Sequence, residues 1–240
     1  MDALIEVRGL RKNYGGLRPL RLSALSVMPG ERVAIVGLDA PAAEVLVNML
    51  TGAMLPDEGD VHVLGRATST IADADDWLST LDRIGMVSAR AILVDELTVA
   101  QSIAMAHTLS LDPIPDAVLA EVRRLGRDVG LSESDLGRRI ADVTPFVRAH
   151  CRLARALALQ PSVLLVEHAN ALVPTDAGRF GRVIAALAAN RGLAVIALTA
   201  DPAFARAVAD RVLVLDGATG DLKQRSGWRR WLPWLGVRLM

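Results

Sequence analysis

The sequence predicts an α/β protein: a parallel sheet core with helices on both faces, an N-terminal antiparallel β part and an inserted helical subdomain. Three observations carry that expectation. Short apolar, mostly β-branched runs at 33–36, 163–166, 194–198 and 212–215 show no polar alternation, as strands covered on both faces would. Helical spacing of apolar residues intervenes between them, which argues for crossover connections and a parallel sheet. The stretch 31–52 reads as buried strand, tight loop and helix, the layout of a phosphate-binding loop.

Taken in order, residues 4–7 alternate as an edge strand and 11–16 follow as a polar turn. Residues 20–27 alternate again before the Pro29-Gly30 turn, so both strands belong to the antiparallel part. In the helix after the loop, Val45, Leu46, Met49 and Leu50 recur at helical spacing, and Gly52 is placed to end it. A turn at 55–59 and a strand at 61–65 come next. From about residue 98 to 140 the texture is helical, with breaks at Asp112-Pro113 and Gly130; a helix rich in Ala and Arg runs from about 147 to 159.

Composition bounds the function. With 240 residues and 52% hydrophobic content the chain suits one large domain with a helical insert. Lys+Arg and Asp+Glu balance at 27 each, so no global charge argues for a nucleic-acid partner. The single Cys151 excludes an internal disulfide framework and fits a reducing compartment. No signal-peptide pattern opens the sequence, and no apolar run reaches the ~18–20 residues that span a bilayer. His107 and His150 have no Cys, Asp or Glu at ligand spacing, so a metal site is not expected.

The loop differs from a working G-x-x-x-x-G-K-[ST]. With Gly37 in register, Ala42 takes the second glycine's place, Ala43 the lysine's and Glu44 the hydroxyl's, and Pro41 removes one N–H. Loss of a lysine, a backbone donor and a metal contact is worth about 4–9 kcal/mol. Asp39 and Glu44 are candidates to satisfy the helix N-terminus in place of phosphate.

The chain resembles the nucleotide-binding subunit of ATP-binding cassette (ABC) transporters from about residue 3 to 222. Pro29-Gly30-Glu31, Leu50-Thr51-Gly52, Pro56-Asp57-Glu58-Gly59, Asp95-Glu96-Leu97-Thr98-Val99, Ala154-Arg155-Ala156-Leu157 and 209–217 stand in that family's order and spacing. The resemblance implies a P-loop NTPase-like, ABC ATPase-like domain over 1–222, a helical insert at about 90–150 and a Trp/Arg-rich tail at 223–240. It implies that Tyr14 stacks on adenine, a packed turn aromatic being the alternative. It places Ala89 where a glutamine senses metal and water, and Val143 to Val147, with Pro145 and Phe146, where L-S-G-G-Q belongs. Glu167 and His168 stand at the metal-side acid and the general base, and Ala200 at the switch histidine.

Those substitutions lead to an expectation of no catalytic residue, no metal and no cofactor, although the family uses ATP and Mg²⁺. The chain is accordingly expected to be a non-catalytic subunit, with Tyr14, Gly37, Asp39, Ala43, Glu44 and Glu167 as a vestigial nucleotide site. It is expected to dock on a transmembrane permease and a second ABC ATPase subunit, cytoplasmic and peripheral on the membrane. Residues 227–240 are a candidate membrane contact, because Trp and Arg together suit a lipid interface. The alternative is a weak or divergent ATPase that energises transport directly.

Overall fold

A computed structural model of the protein describes residues 2–224. The strands are β1 (Ile5–Lys12), β2 (Leu20–Val27), β3 (Arg32–Val36), β4 (Glu58–Val63), β5 (Arg66–Ala67), β6 (Ile84–Val87), β7 (Val163–Glu167), β8 (Ala194–Leu198), β9 (Arg211–Leu215) and β10 (Leu222–Gln224). The α-helices are α1 (Ala40–Leu50), α2 (Ala74–Leu81), α3 (Val99–Ala104), α4 (Asp116–Asp128), α5 (Glu133–Leu136), α6 (Pro145–Leu157), α7 (Ala169–Leu172), α8 (Ala177–Arg191) and α9 (Pro202–Val208).

Two sheets result. The first runs β2-β1-β4-β5 and is antiparallel. The second runs β10-β9-β3-β8-β7-β6, parallel throughout except for β10. The N-terminal strand is not an edge strand: β1 pairs with both β2 and β4. Its alternation reflects one buried face, since Ile5 and Val7 are buried, and that pattern carries no information about its edges.

Residues of the parallel strands alternate between two cores. Val33, Ile35, Val163, Leu165, Ile196 and Leu198 face α1 and the antiparallel sheet. Ala34, Leu164, Val166, Val195 and Ala197 face the cluster built by α3, α4, α6, α8 and α9. Burial on both faces is why these strands read as continuous apolar runs. Full burial of each Val, Leu or Ile side chain contributes about 1.5–3 kcal/mol, so the two layers bind the sheet from both sides.

The helices begin where their caps allow. Thr98 and Gln101 form a reciprocal capping box at α3, and α8 ends on Gly192, whose φ of 62° is the left-handed conformation a helix C-terminus favours. The helical texture expected at 98–140 resolves into α3, α4 and α5, and the Ala/Arg helix is α6, starting two residues earlier than its periodicity indicates because Thr144 caps it and Pro145 opens it. β10 extends the sheet to Gln224, beyond the expected domain end at 222. The candidate membrane contact at 227–240 lies outside the described residues. Among the described residues no helix is long and apolar enough to cross a membrane.

Candidate nucleotide site at the strand ends

Parallel strands place their carboxyl ends on one edge of the sheet, where α/β proteins bind ligands. Here that edge collects the loop after β3 (37–39), Ser88 to Arg90 after β6, Glu167 and His168 at the end of β7, and Thr199 and Ala200 after β8. Gly37 adopts a φ of 106°, and a Cβ there would stand 2.9 Å from the Leu215 carbonyl oxygen, so the turn from β3 toward α1 admits only glycine.

The N-terminus of α1 is closed by the chain itself. The Asp39 carboxylate Oδ1 accepts the Ala42 N–H at 2.9 Å, and Pro41, in the first turn, has no N–H to offer. Of the two acids expected to satisfy this end, Asp39 does so and Glu44 does not. Glu44 lies beyond the first turn, and its Oε1 accepts from the Arg90 guanidinium at 3.2 Å. Ala43 is fully buried against the apolar layer around α1.

Arg90 is the centre of the mouth. Its Nη2 and Nε donate to Glu167 Oε2 at 2.9 and 3.1 Å, the Ser88 hydroxyl donates to the same oxygen at 2.7 Å, and the Arg90 N–H donates to Ser88 Oγ at 3.1 Å. Side-chain exposures of 7% for Glu167, 38% for Arg90 and 48% for Glu44 decide the relative strengths. The buried, multiply bonded Glu167 end is worth about 1.5–3 kcal/mol, whereas the exposed Glu44 end is worth about 0–1 kcal/mol.

A cleft of about 480 Å³ at the loop is lined by Tyr14, Arg18, Arg21, Gly37, Asp39 and Pro41 among others. Tyr14 is half-buried and close over its own turn, since a Cβ on Gly16 would meet the ring at 2.7 Å. Burial, and after it the Asp39 charge, push the Tyr14 hydroxyl above its ordinary range. The ring thus packs on its own turn and forms part of the cleft wall.

The remaining positions spread along the edge. His168 caps α7 with φ 44° and ψ 55°, a left-handed conformation that β-carbon residues rarely hold, and its N–H donates to the Leu198 carbonyl at 2.8 Å. Its Nε2 is buried without a hydrogen-bond partner. Ala89 and Ala200 are exposed. Pro145 is the first residue of α6, and Thr144 Oγ1 accepts the Val147 N–H at 3.4 Å. Phe146 stacks on His150 with centroids 4.2 Å apart, and the Arg179 guanidinium lies 4.6 Å from the Phe146 centroid.

The edge thus combines a tight glycine turn, a buried carboxylate paired with an arginine and bonded to a hydroxyl, and a cleft with an aromatic wall. The fold and this edge define the class, an ATP-binding cassette. The chain belongs to the ABC transporter family, whose model matches residues 20–170.

Among its relatives, the methionine import ATP-binding protein MetN of Brucella abortus is 31% identical over 215 residues, covering 89% of this chain and 57% of that protein. The ribose import ATP-binding protein RbsA 2 of Rhizobium etli is 29% identical over 219 residues, covering 89% of this chain and 42% of its own length. The chain spans about half the length of the curated relatives it matches. Among solved structures, cbiO1 of Clostridium perfringens, described as part of an ABC transporter complex, superposes with a TM-score of 0.76 at 19% identity, covering 93% of this chain and 88% of that one.

These findings correct two expectations. The family match, and relatives that are ATP-binding proteins, overturn the reading of a chain that is not an enzyme and takes no cofactor. The substitutions at Ala43, Ala89, Pro145, His168 and Ala200 remain facts of the sequence; the step from them to inactivity fails. That step compared residues position by position and took no account of residues outside the compared motifs. Arg90, which pairs with both Glu44 and Glu167, is one of these. It was missed because it stands one residue past the segment compared with the family, as was Ser88, within that segment but not singled out. The available signal was a cation immediately after a strand whose carboxyl end joins the loop edge.

Proposed function

We infer that the chain is the ATP-binding subunit of an import system, a divergent ATPase that takes ATP and Mg²⁺ and energises passage through a transmembrane permease. Relatives named for methionine and ribose import support the transport direction, and the family match supports the chemistry. A second ABC ATPase subunit beside it is supported by a solved ABC transporter cassette that is dimeric and bound to ADP and Pi, with a TM-score of 0.72 at 19% identity, covering 92% of this chain and 98% of that one. The reading places the protein at the cytoplasmic face of the membrane, with residues 1–222 as the ABC ATPase-like domain, about 90–150 as its helical insert and 223–240 as a tail.

The observation that carries the reading is the gathering of Glu44, Glu167 and Ser88 at the strand ends beside a glycine-turned loop, the two carboxylates tied through Arg90 and the Ser88 hydroxyl donating to Glu167. Mg²⁺, when bound, supplies charge neutralisation on the transferring phosphoryl group. Glu167 and Glu44 are the residues that would hold it. Tyr14 offers a π face to the base, and the backbone at 37–40 lines the space for phosphates.

The test is a thermal melt of the full chain with and without Mg-ATP, together with phosphate release measured alone and with the permease. Ligand at 100-fold above Kd stabilises by about 2.7 kcal/mol, so a rise of several degrees in Tm is expected, with phosphate release above background. A Tm unmoved by millimolar Mg-ATP, with no phosphate release, overturns the reading.

A further inference from the structure

The first turn of α1 has few donors left for an anion. Asp39 accepts the Ala42 N–H through its carboxylate and the Ala43 N–H through its carbonyl, each at 2.9 Å, and Pro41 has no N–H. In a loop of the G-x-x-x-x-G-K-[ST] kind the lysine on the helix reaches the β- and γ-phosphates, whereas residue 43 here is a buried alanine. The cleft beside this helix end takes its cations from the antiparallel part instead. Of its lining residues, Arg18, Arg21 and Asp39 are charged. Arg21 stands on β2 with its Nη1 3.5 Å from the Ala218 carbonyl oxygen. Arg18 is exposed in the turn from β1 to β2 and has no hydrogen bond or ion pair among the described residues. Pro19 restricts the backbone of residue 18 and Leu20 is buried, so the turn is anchored directly after Arg18.

We propose that Arg18 is the specificity-determining residue of this cleft: with an adenine ring on Tyr14, its guanidinium takes the phosphate next to the ribose. This rests on the reading of the cleft as a nucleotide site. Tyr14 and Arg18 belong to one short turn and line one cleft, so the phosphate they reach together with the base is the first of the chain. A guanidinium committed to no other partner offers a planar fork to two phosphate oxygens. The terminal phosphates meet neither a lysine at position 43 nor the N–H groups of Ala42 and Ala43, which Asp39 already holds. The cleft therefore reads base and first phosphate, and in the absence of metal it separates AMP, ADP and ATP only weakly.

The test is equilibrium binding of adenosine, AMP, ADP and ATP, in chelator, to the full chain and to Arg18→Gln and Arg18→Lys, with Mg-ATP binding measured beside them. Charge-assisted hydrogen bonds to phosphate predict that wild type prefers AMP to adenosine by about 10- to 100-fold, with ADP and ATP close to AMP. Arg18→Gln should lower AMP to the affinity of adenosine while adenosine itself binds as in wild type, and Arg18→Lys should keep part of the preference. Unchanged adenosine binding establishes that the turn has kept its shape. An AMP preference that survives in Arg18→Gln overturns the proposal, and so does an equal loss for adenosine, because the residue then acts through folding of the turn. Wild type that binds Mg-ATP but shows no preference for AMP over adenosine overturns the proposal and leaves the nucleotide reading standing. Wild type that binds none of these, with or without Mg²⁺, removes the nucleotide reading itself.

Discussion

Two helix N-termini bound the functional edge in sequence terms, and they have been closed in different ways. At α1 the cap is Asp39, a proline stands in the first turn, and the ground beyond is ionic, with Glu44, Arg90 and Glu167 in contact. At α6 the cap is Thr144, a proline again opens the helix, and the ground beyond is aromatic: Phe146 lies on His150, and His150 lies 5.4 Å from Phe180. Ions can be exchanged for other ions at little net change in solvation, whereas stacked rings must be pulled apart into water. The first end is held by ion pairs and the second by packed rings.

The strongest way to break that contrast is to hollow out the second end. Phe180 is fully buried beneath His150, so Phe180→Ala should cost about 3–5 kcal/mol, read from denaturant midpoints at constant m-value. A loss below about 1 kcal/mol would mean that the ring stack is loose. At the first end Glu167→Ala leaves the Ser88 hydroxyl and the Arg90 guanidinium without their shared acceptor, and a loss of about 1–3 kcal/mol is expected. The same measurement on Glu44→Ala should give no more than about 1 kcal/mol, since that contact is surface-exposed.

The caps sharpen the comparison further. Asp39→Ala removes a 2.9 Å bond and is expected to cost about 1 kcal/mol, while Thr144→Ala removes a 3.4 Å bond and should cost about 0.5 kcal/mol. Equal losses would make the two ends alike in their capping. The last effect is a slope rather than a step. Burial holds the His150 imidazole below its ordinary pKa, and its Nδ1–H donates to the Val129 carbonyl. Arg179 depresses it further, while that bond and the Asp135 charge oppose. Because the folded pKa is the lower one, the unfolded chain takes up the proton first as pH falls. Stability from this group is complete above the unfolded value near ~6.5 and is lost as pH drops through the folded value. Urea melts from pH 7.5 to 5 should show the decline, and His150→Asn should flatten it.

The fold was largely legible because burial on both faces writes an unbroken apolar run, which is how β3, β7, β8 and β9 were found. What escaped had no such signature. α2 is only eight residues long with no fully buried residue, too short for its apolar spacing to stand out, and β10 is three residues long. At the site, Asp39, Glu44 and Glu167 were found because each stands at a fixed place in a local motif. The partnership of Glu44 with Arg90 spans 46 residues and that of Glu167 with Arg90 spans 77, and no local pattern records a contact across such a distance. Reading each substituted position alone left the ion pairs that join these elements out of view.

One consequence follows from how α1 is seated. Its 11 residues include seven buried ones, and it touches both β4 of the antiparallel sheet and β7 of the parallel sheet. Gripped along its length, without glycine in its interior and about 16 Å long, it has no joint at which to bend. Mechanically it is a strut. A push delivered at Asp39 has nowhere to dissipate before it reaches the far end at Thr51, where the Trp77 indole N–H donates to the Thr51 carbonyl at 2.9 Å. The loop at Asp39 and the indole of α2 are therefore joined through one unbroken helix.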